Sequence, residues 1–284
     1  MLCRAAQIFT ISENLYNELP FLMEFPIFTE INRLYMDNFN QNSSFYPTQD
    51  GQTAPQSLAK NFMANVFMWM FVALGVSALF ALLFANNQQL LSYLFNSETG
   101  KLNILGWITM FAPLVFVMLM SFAFNKLSAP ALTLLFIVYS AINGISFSFI
   151  LLFYTTNSVV GCFLSAAAMF GVMAVMGYTT KKDLTSFGRL LMMALIGIVI
   201  AMLINIFLKS DTMGYVISII GVMVFTGLTA YDVQKLKRIG AGVEYGDISV
   251  GESKKLAIIG SLNLYLDFIN IFLFLLRLFG SRRD

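Results

Sequence analysis

Two carboxylates in this chain stand where carboxylates are costly. Asp267 is the only charged residue of the apolar run 256–276, LAIIGSLNLYLDFINIFLFLL, and lies near its middle. A charge at the centre of a bilayer-spanning helix costs about 2.5–3.5 kcal/mol on insertion scales unless it is protonated, paired or wetted. Asn263 precedes Asp267 by four residues and Asn270 follows it by three, so the three side chains share one helical face. Asp232 ends the preceding apolar run, in FTGLTAYDVQKLK. Carboxylates exchange protons, and they are hard oxygen donors of the kind calcium takes, with Asn263 and Asn270 able to add carbonyl oxygens. Two of them in a poorly solvated site cannot both ionise cheaply and would titrate as a unit. The chain has no histidine, so proton chemistry falls to carboxylates. Each aspartate also has a plainer reading: Asp232 as a solvated helix-end residue beside Lys235, Asp267 as a protonated acid hydrogen-bonded to another helix.

The elements that must carry these residues are membrane helices. Hydrophobic residues make up 58% of the chain and charged residues 11%, against soluble averages of about 45–50% and 25%. Apolar runs of about 20 residues, uncharged but for Asp267 and long enough to cross ~30 Å of hydrocarbon, recur at 61–85, 102–124, 131–154, 159–178, 190–208, 212–231 and 256–276. The expected class is all-α, a polytopic membrane protein of seven transmembrane helices. Pro113 predicts a kink in the second run. Asn143, Asn205 and Ser146 read as interhelical glue. Small residues such as Ala174 and Gly177, or Ala167 and Gly171, would allow close helix approach.

Two domains are expected: a polar, flexible amino-terminal tail at 1–60, rich in Asn, Gln, Ser and Pro after Asp37, and a seven-helix domain at 61–284. The tail holds no signal-peptide core, and its composition is compatible with a mature start at Met36. Lys60, Lys126, Lys181, Lys182, Arg189, Lys235, Lys237, Arg238, Lys254 and Lys255 fall on the same side as the amino terminus, which predicts that terminus to be cytoplasmic. Arg277, Arg282 and Arg283 fall on the other side if the last run crosses completely; a re-entrant last segment would return them.

Several function classes drop out. A formal net charge of +2 without a clustered basic face gives no nucleic-acid partner. Cys3 and Cys162 are too few and too isolated for a disulfide framework or a zinc site. No phosphate-binding glycine loop, HExxH or nucleophile elbow occurs, so the chain does not read as an enzyme and no tightly bound cofactor is expected.

FTGLTAYDVQKLK, followed by AIIGSLNLYLDFINIFLFLLRLFG, resembles the signature end of the transmembrane Bax inhibitor motif family, in its bacterial members. YTTKKDLTSFGRLL resembles that family's connection between the fourth and fifth helices. The resemblance covers about residues 60–280. It implies a last helix at the centre of the bundle, surrounded by the other six, and a pH-sensitive calcium leak in a bacterial inner membrane. The family's paired aspartates fall on Asp232 and Asp267, as proton sensor and ion path, with calcium as the permeant ion and possible ligand. Its pattern also has a basic residue in the second helix that latches onto the pair, and 102–124 contains none. A second class is a regulatory or scaffold protein that engages a membrane quality-control protease or cell-death factors through the tail. A third is a proton-coupled transporter.

Overall fold

The computed structural model describes residues 57–96, 101–123, 127–245 and 248–283. The expectations for the tail, including a start at Met36, lie outside the described residues.

Helix boundaries follow polar punctuation in the sequence. α1, Ser57–Asn86, gives way at the NNQQ stretch to a short α2, Gln88–Leu94, whose first amides at Gln89 and Leu90 donate to the Asn87 side-chain oxygen at 3.0 and 3.3 Å. A two-residue hairpin, β1 (Phe95–Asn96) with β2 (Lys101–Leu102), leads into α3, Ile104–Ala123. α4, Ala129–Phe153, starts with a proline in its first turn, where a missing N–H is harmless. α5, Thr156–Thr179, follows the TTNS break, and α6, Thr185–Leu208, follows the charged connection. The turn at Lys209 and Ser210 uses a left-handed residue, Lys209 with φ 50°, and a Ser210 cap that accepts from the Met213 N–H at 3.3 Å. α7 is Asp211–Glu244. α8, Val250–Phe279, opens with Ser249 accepting from the Glu252 N–H at 3.3 Å, half of a capping box.

The chain is an all-α polytopic membrane protein. Among the described residues six helices, α1 and α4 to α8, are long and apolar enough to cross a membrane. The seventh expected crossing falls on α3, an uncharged helix of 20 residues holding the buried Pro113. Within the described side chains its apolar length runs from Ile104 to Pro113, so the six spans are those counted among the described residues.

One expectation is corrected. The sixth run was expected to end at 231, with a loop after it, yet α7 continues to Glu244. No proline interrupts it, and Gly240 packs against Ala59 and Phe62 of α1. α8 is one continuous helix of 30 residues, ~45 Å long. A re-entrant last segment is therefore excluded, and Arg277, Arg282 and Arg283 lie at the end opposite Lys254 and Lys255.

α8 is the central helix. Its apolar window is 89% buried, against 22–56% for the other five spans. It packs on α1, α4, α5 and α7, whereas α6 packs chiefly on α7 and α3 on α4. Four helices rather than six thus form its immediate surround. Gly144 of α4 sits against the Ser77 backbone of α1, and Gly177 of α5 against the Ala230 carbonyl of α7; any Cβ there would collide. Gly171, by contrast, faces open space. Val172, Val175 and Leu164 on the outer face of α5 are exposed, as a lipid-facing surface requires.

Candidate functional site

The α7–α8 interface sets the geometry of the two aspartates. Gly221 of α7 lies against the Phe274 ring of α8, the Phe225 and Phe274 rings are 6.0 Å apart, and the Leu236 side chain of α7 lies against Gly260 of α8. The helices therefore run antiparallel. Asp232 belongs to the stripe of Phe225, Leu228 and Leu236, and Asp267 falls seven residues from both Gly260 and Phe274. At helical spacing each carboxylate is on the face its helix turns to the other. In this register Asp232 comes level with Asn263 and Leu264, about one turn (~5 Å) from Asp267 along the axis.

Both sites are closed to solvent: Asp232 is 2% exposed and Asp267 0%. The solvated reading of Asp232 is thereby overturned, because the extension of α7 carries the helix end well past it. Asp267 lies ~18 Å along α8 from Lys255 and ~15 Å from Arg277, which is the middle of a bilayer core. Neither oxygen of Asp232 has a hydrogen-bond partner among the described residues, nor has the Asn263 side-chain oxygen. Asn270 is fully buried and donates its side-chain amide to the Leu266 carbonyl at 3.0 Å. Its amide nitrogen is thus turned to its own helix.

Lys235, one turn beyond Asp232, is half-buried, and its charge acts electrostatically on that carboxylate. Sequence reasoning placed it as the partner of an exposed helix-end residue. Asp232 and Lys235 lie three residues apart on one face of α7, an arrangement readable only once α7 was seen to continue.

Beyond Lys235 the YTTKKDLTSFGRLL connection is tied to α7. Gln234 accepts from the Leu184 N–H at 2.8 Å and donates to the Lys182 carbonyl at 2.7 Å. Arg238 donates to Asp183 at 2.5 Å, to the Thr185 hydroxyl at 3.0 Å and to Gln234 at 3.0 Å. Lys237 donates to the Tyr178 carbonyl at 2.7 Å and stands 5.1 Å above the Tyr178 ring. Hydrogen bonds from Thr185 and Arg238 hold the Asp183 carboxyl well below the usual carboxylate range. Sequence reasoning missed this clasp. Its local trace was Gln234 and Arg238 at four-residue spacing, and its other half lies some 50 residues upstream.

A second polar seam lies across α8 from Asp267. The Tyr265 and Ser77 hydroxyls are 2.8 Å apart, Ser77 donates to the Ser140 carbonyl at 2.7 Å, and the Tyr139 and Tyr265 rings meet edge to face at 5.8 Å. Ser261 donates to the Val66 carbonyl at 2.8 Å. These bonds pin α1 and α4 to the central helix. Ser146 bonds the Thr109 carbonyl of α3 at 2.9 Å, a contact between helices, whereas Asn205 accepts from the Ser210 N–H at 3.2 Å, five residues on, a cap within the α6–α7 turn. Asn143 is buried with its amide nitrogen unbonded among the described residues.

Asp232 and Asp267 do not make a chelate by themselves. Calcium takes six to eight oxygens, and among the described residues no three His, Cys, Asp or Glu side chains gather as a metal cluster.

Residues 59–284 match the family described as inhibitor of apoptosis-promoting Bax1. The chain is 44% identical over 238 residues to the inner membrane protein YbhL of Escherichia coli K12, covering 84% of this chain and 99% of that one. It is 41% identical over 234 residues to an uncharacterised protein of Borreliella burgdorferi, covering 82% and 97%. It is 37% identical over 237 residues to the uncharacterised protein RP147 of Rickettsia prowazekii, covering 84% and 96%.

Proposed function

The chain belongs to the Bax inhibitor family of membrane proteins, and from that premise we propose that it is a pH-sensitive calcium leak whose path passes the Asp232–Asp267 pair. The observation that carries the reading is the burial of both carboxylates on facing stripes of α7 and α8, with no hydrogen bond among the described residues reaching either Asp232 oxygen. An intramembrane carboxylate is retained against its desolvation cost where it serves an ion or proton path. Proton exchange changes the charge of the pair, and the charge of the pair sets how strongly a passing divalent cation is held.

Lys235 supplies the counter-charge in this reading. It takes the part that a basic residue of the second helix would play, approaching Asp232 from its own helix instead. The site is an inner-membrane one, with the amino terminus on the cytoplasmic side; the gathering of Lys181, Lys182, Lys237, Arg238, Lys254 and Lys255 at the same end of the bundle supports that orientation.

The test is calcium flux into liposomes holding the purified protein, measured across pH 5–8. Wild type should pass calcium in a pH-dependent manner. Flux and pH profile identical to wild type in both Asp232→Asn and Asp267→Asn would sink the proposal.

A further inference from the structure

The residues after α8 fold back onto the turn between α4 and α5. α8 ends at Gly280, whose N–H closes the last helical bond to the Leu276 carbonyl at 2.7 Å. From there the Thr155 N–H donates to the Ser281 carbonyl at 2.9 Å and the Arg283 N–H to the Phe153 carbonyl at 2.8 Å, an antiparallel bridge centred on Tyr154 and Arg282. The Ser281 N–H donates to the Ser158 hydroxyl at 3.0 Å, and the Arg283 guanidinium to the Thr156 hydroxyl at 3.2 Å. Gly280 is required by the fit, since a Cβ there would come within 2.6 Å of the Tyr154 ring.

Beneath this strap the α5–α8 seam is aromatic. Phe163 of α5 meets Phe272 and Phe268 of α8 at ring distances of 6.0 and 5.2 Å. Cys162, 5% exposed, points its thiol at the Leu275 carbonyl, 3.6 Å away. Arg277 lies against Gly214 at the start of α7. The end of the central helix is thus joined to α5 by the seam, to the α4–α5 turn by the tail, and to α7 by Arg277.

We propose that residues 280–283 are a latch that closes the α5–α8 seam at this end of the bundle and fixes the axial position of α8. Gly280, Ser281 and Arg283 are then positioning residues: a shift of α8 by one turn, ~5 Å, would close or double the axial offset between Asp267 and Asp232, according to its direction. Closure of the seam stands on the strap's own contacts. Its consequence for ion flow rests on the leak reading.

Cys162 is a native reporter for the latch. With Cys3→Ser it is the one thiol left in the chain, and its reaction with a small charged methanethiosulfonate reagent measures water access to the seam. Reaction should be slow in the latched protein and at least tenfold faster in Gly280→Val. The paired variant Ser158→Ala with Arg283→Ala removes two side-chain bonds without a clash and should give a several-fold increase. A control cysteine, Ala174→Cys in a Cys162→Ala background, sits buried further along α5 and should stay unreactive when Gly280→Val is added. Unchanged Cys162 reactivity in both latch variants overturns the proposal, as does equal exposure of the control cysteine, which would mean general loosening. Calcium flux in the same liposomes separates the two readings: a wild type that passes no calcium defeats the leak while leaving the labelling result standing, whereas a working leak with unchanged labelling defeats the latch alone.

Discussion

Removing one carboxylate should change how the other responds to protons, and the size of that change follows from the α7–α8 register. With helix axes ~8–10 Å apart and the two residues about one turn out of level, side chains reaching toward one another bring the charges to roughly 5–8 Å. At an effective dielectric of about 20, two unit charges at that separation interact by about 2–3 kcal/mol, equivalent to about two pH units. In the Asp267→Asn variant, then, the pH of half-maximal calcium flux should move by roughly two units, and Asp232→Asn should give a shift of similar size. The double variant should lose pH dependence over pH 5–8 altogether. Because Asn is nearly isosteric with Asp, the bundle should keep its thermal midpoint to within a few degrees, which separates altered titration from altered folding. The assay is flux with a calcium dye trapped inside liposomes, at matched protein loading. Shifts under half a unit in both single variants, with pH dependence intact in the double variant, would refute an electrostatically coupled pair.

Other outcomes follow from the contacts around the site. Gly177→Ala should destabilise the protein by about 1–3 kcal/mol, because its Cβ meets the Ala230 carbonyl of α7; Gly171→Ala, facing open space, should be neutral or up to about 1 kcal/mol stabilising. Thermal unfolding in detergent compares the two, and equal effects would contradict the α5–α7 packing. Asp183→Asn should cost no more than about 1 kcal/mol at pH 7, since its ion pair with Arg238 is largely exposed. Its depressed pKa gives the sign: the carboxylate's contribution is present above about pH 4, the unfolded value, and is lost as pH falls further. Wild type and variant should therefore converge in stability in strong acid, and a gap that widens there would exclude the clasp. Tyr265→Phe, which breaks the 2.8 Å contact with Ser77, should cost about 0.5–1.5 kcal/mol, and adding Ser77→Ala should cost less than the two single losses together.

The class and the burial of Asp267 were legible in the sequence for one reason: hydrocarbon demands uncharged runs of fixed length, and a charge inside such a run cannot be a surface accident; the central place of the last helix came from the family resemblance. The limits of α7 were not legible, because the rule that charges mark the edge of a span fails where they have somewhere to go. Lys237 and Arg238 end on Tyr178, Thr185 and Asp183, and Gln234 is satisfied by two backbone groups of the α5–α6 connection. A helix can therefore continue through polar sequence when a loop from elsewhere in the chain supplies partners. That changes the meaning of Asp232 more than any other residue. As the last residue of a span it would have been wet, and its spacing to Lys235 an ordinary surface pair. With about three further turns of helix beyond it, it lies within the span and opposite Asn263, and the same Lys235 becomes the cation nearest along α7 to a buried acid. What the shortened helix hid was the burial of Asp232.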